Sequence, residues 1–456
     1  ACDALNNCAN SSNGYFNITL DNSTTTVNLV SPVNASNVSA YANIVFTYQA
    51  NDSTSGTANS TLYVFNFSGS FVYNTTNTTV LNGSTSTIFS SLGNLSNGRY
   101  NWSIQTCDYA NNCANASYFN ITLDNATSNV SLSTPANNSN ISSYANLNFT
   151  YQVNDSLTGT ANATLYLFNF SGSFVYNTTN TTVLNGSTST IFSSLGNLSN
   201  GKYNWSIATC DFANNCANST ASGGNGYFNI TLDNATPSVG LVAPANTTNT
   251  TNFTITFQYQ ANDSTSGTAN ATVYVFNSSG SFVFNATNAT VLNGSTSSIL
   301  ATMTSLSSGR FNWSAQACDY SNNCANATGG YFNITMDNSS PVISSVCASA
   351  SSTAATITWT TDESANSTVE YGLTAGYGTN VTSGSRVTSH SIDLPGLDAS
   401  TTYFYRVRSC DFLGNCGNSS GLNFTTTVAV SPPVTPPPVG TTTTTTVETT
   451  KEEKSE

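Results

Sequence analysis

Positive charge is the scarcest commodity in this chain: eight Lys and Arg and one His stand against 21 Asp and Glu in 456 residues. So few cations cannot form a basic patch, which excludes a nucleic-acid partner whose phosphates would need neutralising. Charged residues of both signs reach only 6%, where a soluble surface ordinarily carries a quarter or more. Something other than side-chain charge must keep this surface in water. No run of eighteen apolar residues occurs, so no membrane-spanning helix is expected, and no secretory leader is visible. Residue 1 already lies inside a repeated motif, so the chain is expected to be processed or truncated upstream. A single histidine leaves general acid–base catalysis without a partner. The acids Asp52, Asp108, Asp155, Asp211, Asp263 and Asp319 recur once per repeat at turns, as structural residues do. No enzymatic activity and no cofactor are expected.

What the chain does have is 38% hydrophobic and 11% aromatic residues, enough for several packed cores. The stretch from Gly201 to Asn234 organises it, recurring five times with small changes. Tyr203, Trp205 and Ile207 alternate with Asn204, Ser206 and Ala208, and Phe228, Ile230 and Leu232 alternate with Asn229 and Thr231. That period of two places one set on a buried face and the other in solvent, giving a hairpin. Asn204 and Asn229 both head N-x-[ST] sequons on the solvent side. About 48 asparagines in the chain head such sequons. Among those out of phase with the core are Asn17, Asn101, Asn120, Asn148, Asn204, Asn229, Asn312 and Asn333, which we expect to carry N-linked glycans. The sugars would supply the solubility that charge does not.

Ten of the eleven cysteines fall in one C-D-x-x-x-N-C frame: Cys2 and Cys8, Cys107 and Cys113, Cys210 and Cys216, Cys318 and Cys324, Cys410 and Cys416. The spacing suits a disulfide across a tight turn in an oxidising compartment. A zinc site would want C-x₂₋₄-C spacing with two pairs brought together. Closing so short a loop is worth roughly 2 kcal/mol in the chain-entropy model. Cys347 is left over, and we expect a buried small hydrophobe on an early strand.

Taken in order, residues 1–21 form the final hairpin of a repeat, and 22–124, 125–233 and 234–337 are full units of 103 to 109 residues. Asn59 to Asp108 matches Asn162 to Asp211 almost residue for residue. In the second unit SNVSLSTP opens the set of strands, and LNFTYQV buries Leu147, Phe149, Tyr151 and Val153. ATLYLFNF and SFVYN turn around Ser171-Gly172, and TSTIFSSL precedes the Trp205 strand. About seven short strands without an amphipathic helix predict an all-β fold of tandem sandwiches. After Val430, a Pro- and Thr-rich run reads as a disordered stalk or linker, so 429–456 is set apart as a tail.

These units resemble the immunoglobulin-like modules of prokaryotic surface proteins, whose final hairpin has an aromatic strand, a D-x-x-G-N turn and a closing strand ending in Asp before a Pro-containing junction. Cys210 to Cys216 matches that turn with Asn at the usual Gly position, and Leu232-Asp233-Asn234 with Pro237 matches the junction. The inter-sheet cysteine pair of antibody domains is missing; the cysteines lie within one hairpin instead. Residues 338–428 resemble a fibronectin type III domain, with Trp359 and Tyr405 as core aromatics and Leu394-Pro395-Gly396-Leu397 followed by Tyr403 at its turn. His390, just before that turn, is expected to be structural or exposed.

Such families sometimes hold calcium at module junctions, where Asp124 and Asp233 lie. A tight site needs several clustered oxygens, and the sequence offers about one acid per junction, so no metal is expected. The resulting expectation is a secreted, densely glycosylated structural protein of the cell surface, a fibre, stalk or filament subunit, prokaryotic and of archaeal type from its sequon density and low charge. Its partners would be covalent glycans, further copies of itself and neighbouring cell-surface components. An adhesin or carbohydrate-binding surface protein is the alternative. The N-terminal strand Tyr15, Phe16, Ile18 and Leu20 is expected either to complete an upstream module or to pair with a neighbouring subunit.

Overall fold

The structure is a computed structural model and describes residues 2–8, 17–220 and 226–430. It is all-β, a series of tandem immunoglobulin-like and fibronectin type III-like sandwiches.

The first complete sandwich contains β1 (Thr26–Ser31), β2 (Ser36–Val38), β3 (Ile44–Asn51), β4 (Thr57–Asn66), β5 (Phe71–Asn77), β6 (Thr85–Ser90), β7 (Gly98–Asp108), β8 (Cys113–Asn115) and β9 (Phe119–Leu123). One sheet has the order β1-β3-β6; the other runs β2-β9-β7-β4-β5, with β8 also paired to β7. The next two units repeat this topology strand for strand. Alternation decides which residues meet between the sheets. On β7, Tyr100, Trp102 and Ile104 are buried, and on β3, Phe46 and Tyr48 are fully buried. The Phe46 and Trp102 rings meet edge to face with centroids 4.8 Å apart, Phe149–Trp205 repeats this at 5.0 Å, and Phe257–Trp313 meets at 4.9 Å in a tilted arrangement. Such pairs add about 0.5–1.5 kcal/mol beyond the area they bury. Nine strands replace the expected seven because β2 and β8 are only three residues long, too short to show a period. The parallel pairing of β2 with β9 has no sequence signal for the same reason. Leu147 and Phe228 are half-buried rather than fully buried, since each lies at the margin of its strand.

The fourth sandwich is built on one long strand, Ala354–Gly372, that bends across the domain. Its first half pairs with Ile343–Ala350 and with the end of Thr379–Pro395. Its second half pairs with the start of Thr379–Pro395 and with Thr402–Cys410. Trp359 and Tyr405 are core residues. His390 is buried, its ring stacked on Trp359 at 4.9 Å, with Thr361 Oγ1 and Ser367 Oγ at 2.8 and 2.7 Å from its two nitrogens.

One expectation fails. Cys347 is exposed, because a register shift between Ser344 and Cys347, with Ser345 in left-handed backbone, turns the thiol outward while Val346 and Ala348 pack on the core. Residues 17–21 form no strand, and Ile18 and Leu20 are almost fully exposed, since no described strand offers them an edge. Tyr15, Phe16 and the tail from 431 lie outside the described residues.

Each core is separate, so damage stays local. Trp205→Ala should cost the second sandwich about 3–5 kcal/mol. Urea unfolding followed by circular dichroism should show one early transition carrying about a quarter of the amplitude, with the remainder unmoved.

Candidate cation sites at the module junctions

Every acidic residue from Asp21 to Asp337 ends up in a cluster of three. Asp21, Asp52 and Asp108 form the first; Asp124, Asp155 and Asp211 the second; Asp233, Asp263 and Asp319 the third. A fourth joins Asp337, Glu363 and Asp411. In each cluster one oxygen per residue lies within 4.8 Å of the others. The expectation of about one acid per junction is therefore corrected. Acids some 30, 55 and 85 residues apart look scattered along the chain, yet the sandwich topology carries all three to the same end of the module.

Each member comes from a different kind of element. The first, Asp124 in the second cluster, directly follows β9 and is fully buried. The second comes from the N-D turn after the third strand. Asp52 Oδ1 accepts the N–H groups of Thr54, Ser55 and Gly56 at 2.8–2.9 Å, and Asp263 accepts those of Thr265, Ser266 and Gly267 at 2.8–3.0 Å. Gly56 and Gly267 close these turns at φ of 77° and 81°, which only glycine adopts freely. The third comes from the C-D-x-x-x-N-C frame. Asp211 Oδ1 accepts from the Ala213 and Asn215 N–H groups at 2.7 and 2.9 Å, and its Oδ2 accepts from Asn215 Nδ2 at 2.8 Å. Asn215 Nδ2 also donates to the carbonyl of Asp124 at 2.8 Å, tying the turn to the preceding junction. Asn112, Asn323 and Asn415 make the same link to Asp21, Asp233 and Asp337. Asn111, Asn214 and Asn322 hold the left-handed position of the turn at φ of 65–67°, where the fourth domain has Gly414.

Backbone donors satisfy one oxygen of Asp52, Asp155 and Asp263. Among the described residues no donor reaches their second oxygen, and each residue is only 4–5% exposed. Nor does a cation offset the charge: the only salt bridge among the described residues is Arg406–Glu370, at 2.6 Å in the fourth sandwich. Two carboxylates 4.8 Å apart repel by about 3 kcal/mol at an effective dielectric constant of ~20. That is a large cost in proteins whose whole stability is about 5–15 kcal/mol. A hard divalent cation would remove it, and the donor set fits one. All donors are oxygens, and two oxygens 2.3–2.6 Å from a shared calcium are at most about 5 Å apart. In the fourth cluster burial and the neighbouring charges of Asp337, Asp411 and Asp362 push the Glu363 carboxyl above its ordinary value. Hydrogen bonds from Ser23 and Ser55 hold Asp21 well below the carboxylate range.

The five cysteine pairs are disulfides, each within its own hairpin. The last four staple the turn that carries the third acid of a cluster. Of the sequon residues, Asn17, Asn120, Asn148 and Asn333 are exposed, and Asn101, Asn204, Asn229 and Asn312 are half-buried on the outer sheet face. Asn101 pairs directly with Asn120, Asn204 with Asn229, and Asn312 with Asn333. Sequence reasoning missed the second Asn of the cysteine frame, although its fixed offset from Asp was the available signal.

Residues 83–187 match the family model described as bacterial Ig-like domain (group 3), a span about one repeat long that crosses the junction at Asp124. Residues 343–426 match the purple acid phosphatase N-terminal domain. No curated protein matches the chain. Among solved structures, the chain is similar to a tetra-tandem repeat in the extending region of a large adhesion protein, at 17% identity over 89% of this chain and 100% of that one, with TM-score 0.35. It is also similar to fibronectin(III)-like modules of Clostridium thermocellum CbhA, at 15% identity over 45% and 93%, TM-score 0.27. The FN1–FN3 domains of chicken CNTN1 share 12% identity over 66% and 97%, TM-score 0.24. Fold and site together define a tandem immunoglobulin-like and fibronectin type III-like repeat protein.

In cation-free buffer the fourth sandwich should depend on pH through Glu363. A carboxyl whose folded pKa is raised keeps its proton longer in the folded state, so its stabilising contribution is full below the unfolded value near 4.5 and is lost as pH rises through the folded one. Thermal midpoints of the native chain and Glu363→Gln, compared from pH 4 to 8 with chelator, should diverge in favour of the variant as pH rises. Parallel curves would contradict the raised carboxyl pKa.

Proposed function

We propose that this chain is a structural segment of an extracellular surface protein, a series of β-sandwiches whose junctions are stiffened by calcium and whose faces are covered by N-linked glycans. The observation that carries the proposal is the gathering of every acid between Asp21 and Asp337 into junction clusters, in a chain that carries so little charge elsewhere. The Asp just after one sandwich and two acids of the next would share one ion, so that binding opposes bending at that point. The protein's own part is to preorganise the ligands: backbone N–H groups aim Asp52, Asp155 and Asp263, and the Asp–Asn turn and its disulfide aim the third carboxylate.

The match to a bacterial Ig-like model supports a surface module. The match to the phosphatase model is to an N-terminal domain alone, in keeping with a non-enzymatic role. Five disulfides support an oxidising, extracellular setting. The sequon-rich, charge-poor surface supports a glycan coat, and the near-identical modules support a fibre or stalk.

Calcium titration of the full chain by calorimetry should give up to four sites and raise the thermal midpoint. Asp155→Asn should remove one site, weakening it tenfold or more, and leave the others. Absence of both heat and thermal shift at millimolar calcium would sink the junction reading. Electron microscopy of native material should show thin fibres, and dispersed compact particles would count against the fibre.

A further inference from the structure

On β4, Leu62 and Val64 face the core while Tyr63 and Phe65 face outward. Phe71 on β5 pairs with Phe65, the two rings meeting edge to face at 6.2 Å. Tyr118, just before β9, leans across β7 until its ring is 5.6 Å from Phe65. The three rings make a wall across the outer face of the sheet, with Phe71 55% and Tyr118 61% exposed. The third sandwich repeats it with Phe282, Phe276 and Tyr331, at 6.2 and 5.5 Å, beside a shallow, mainly apolar cleft of about 360 Å³. Such rings on a chain with so few charges are an aggregation hazard unless something covers them.

The residue opposite Phe65 on β7 is Asn101, and that opposite Phe276 is Asn312. Both head sequons. Among the described residues Asn101 Oδ1 is buried without a partner, and none hydrogen-bonds to its Nδ2, the atom that carries a sugar. Directly opposed residues have Cβ atoms about 4.5–5.5 Å apart, within reach of the first sugar on the amide.

We infer that the aromatic wall of the first and of the third sandwich is a seat for that sandwich's own N-linked glycan: the first pyranose on Asn101 lies against Phe65 and Tyr118, and that on Asn312 against Phe276 and Tyr331. The weakly positive C–H groups of a pyranose face meet the negative face of an aromatic ring, and covalent attachment supplies a high local concentration, so a weak contact suffices. The inference rests on the glycan-coat reading and adds to it where the sugar lies and what it shields. Asn120 and Asn333, directly opposite on the other flank, share the same space, so one glycan per pair is expected.

Tyrosine nitration of the full glycosylated chain, read peptide by peptide, tests it. Tyr118 should nitrate at least fivefold more slowly in the native chain than in Asn101→Gln, whereas Tyr109, 74% exposed at the turn, should react equally in both. Asn312→Gln should release Tyr331 in the same way. Glycopeptide mapping of the same sample separates the failures. Occupied Asn101 with unchanged Tyr118 reactivity overturns the seat, as does bare Asn101 in a chain glycosylated elsewhere. A wholly bare chain overturns the coat and the seat with it.

Discussion

The structure depends on one hydrogen-bonded turn. In the C-D-x-x-x-N-C frame, an aspartate takes donors from the backbone and from the side-chain amide of an asparagine four residues on, and that amide also reaches the carbonyl of the preceding junction. Hydrogen bonds to an ionised acceptor are about twice as strong as neutral ones, and here they point the carboxylate into a cluster with two others. Every later feature of the junction follows from where this turn holds that charge.

The disulfide belongs to the same argument. A seven-residue loop closed by a cysteine pair contributes only about 2 kcal/mol through chain entropy, little beside a core containing a fully buried tryptophan. Resistance to fraying is thus a weak reason for placing one in every hairpin. Limiting the excursions of a turn that must keep its carboxylate among like charges is a stronger one, because repulsion of a few kcal/mol would otherwise open the loop.

The cores were legible because a period of two is a long-range signal carried by every residue of a strand. Trp102, Trp205 and Trp313 are where alternation puts them, and Trp359 and Tyr405 are where the fibronectin type III resemblance puts them. The clusters were not legible, because proximity between Asp124, Asp155 and Asp211 arises from sheet topology, which no local pattern encodes. The clue was negative: between Asp21 and Asp337 acids were absent from everywhere except three recurring positions. Cys347 was misjudged for a related reason, since a single bulge reverses the face of every residue beyond it. The aromatic wall was hidden as well, because outward Phe65 and inward Val64 are equally apolar.

The fourth junction shows how far the arrangement depends on its scaffold. Its second acid is not in a glycine-closed turn but at the bend of the strand Ala354–Gly372, and it is a glutamate. Among the described residues no donor reaches the Glu363 carboxylate, where Asp52 and Asp263 each have three backbone N–H groups. The longer side chain has one more torsion to immobilise, and burial together with repulsion from Asp337, Asp411 and Asp362 raises its pKa. A ligand that is neither aimed nor held ionised binds a cation less tightly, by both entropy and charge. With calcium at the junctions as proposed, the joint before the fibronectin-like domain would be the one most easily emptied, and it would flex while the three before it stayed stiff.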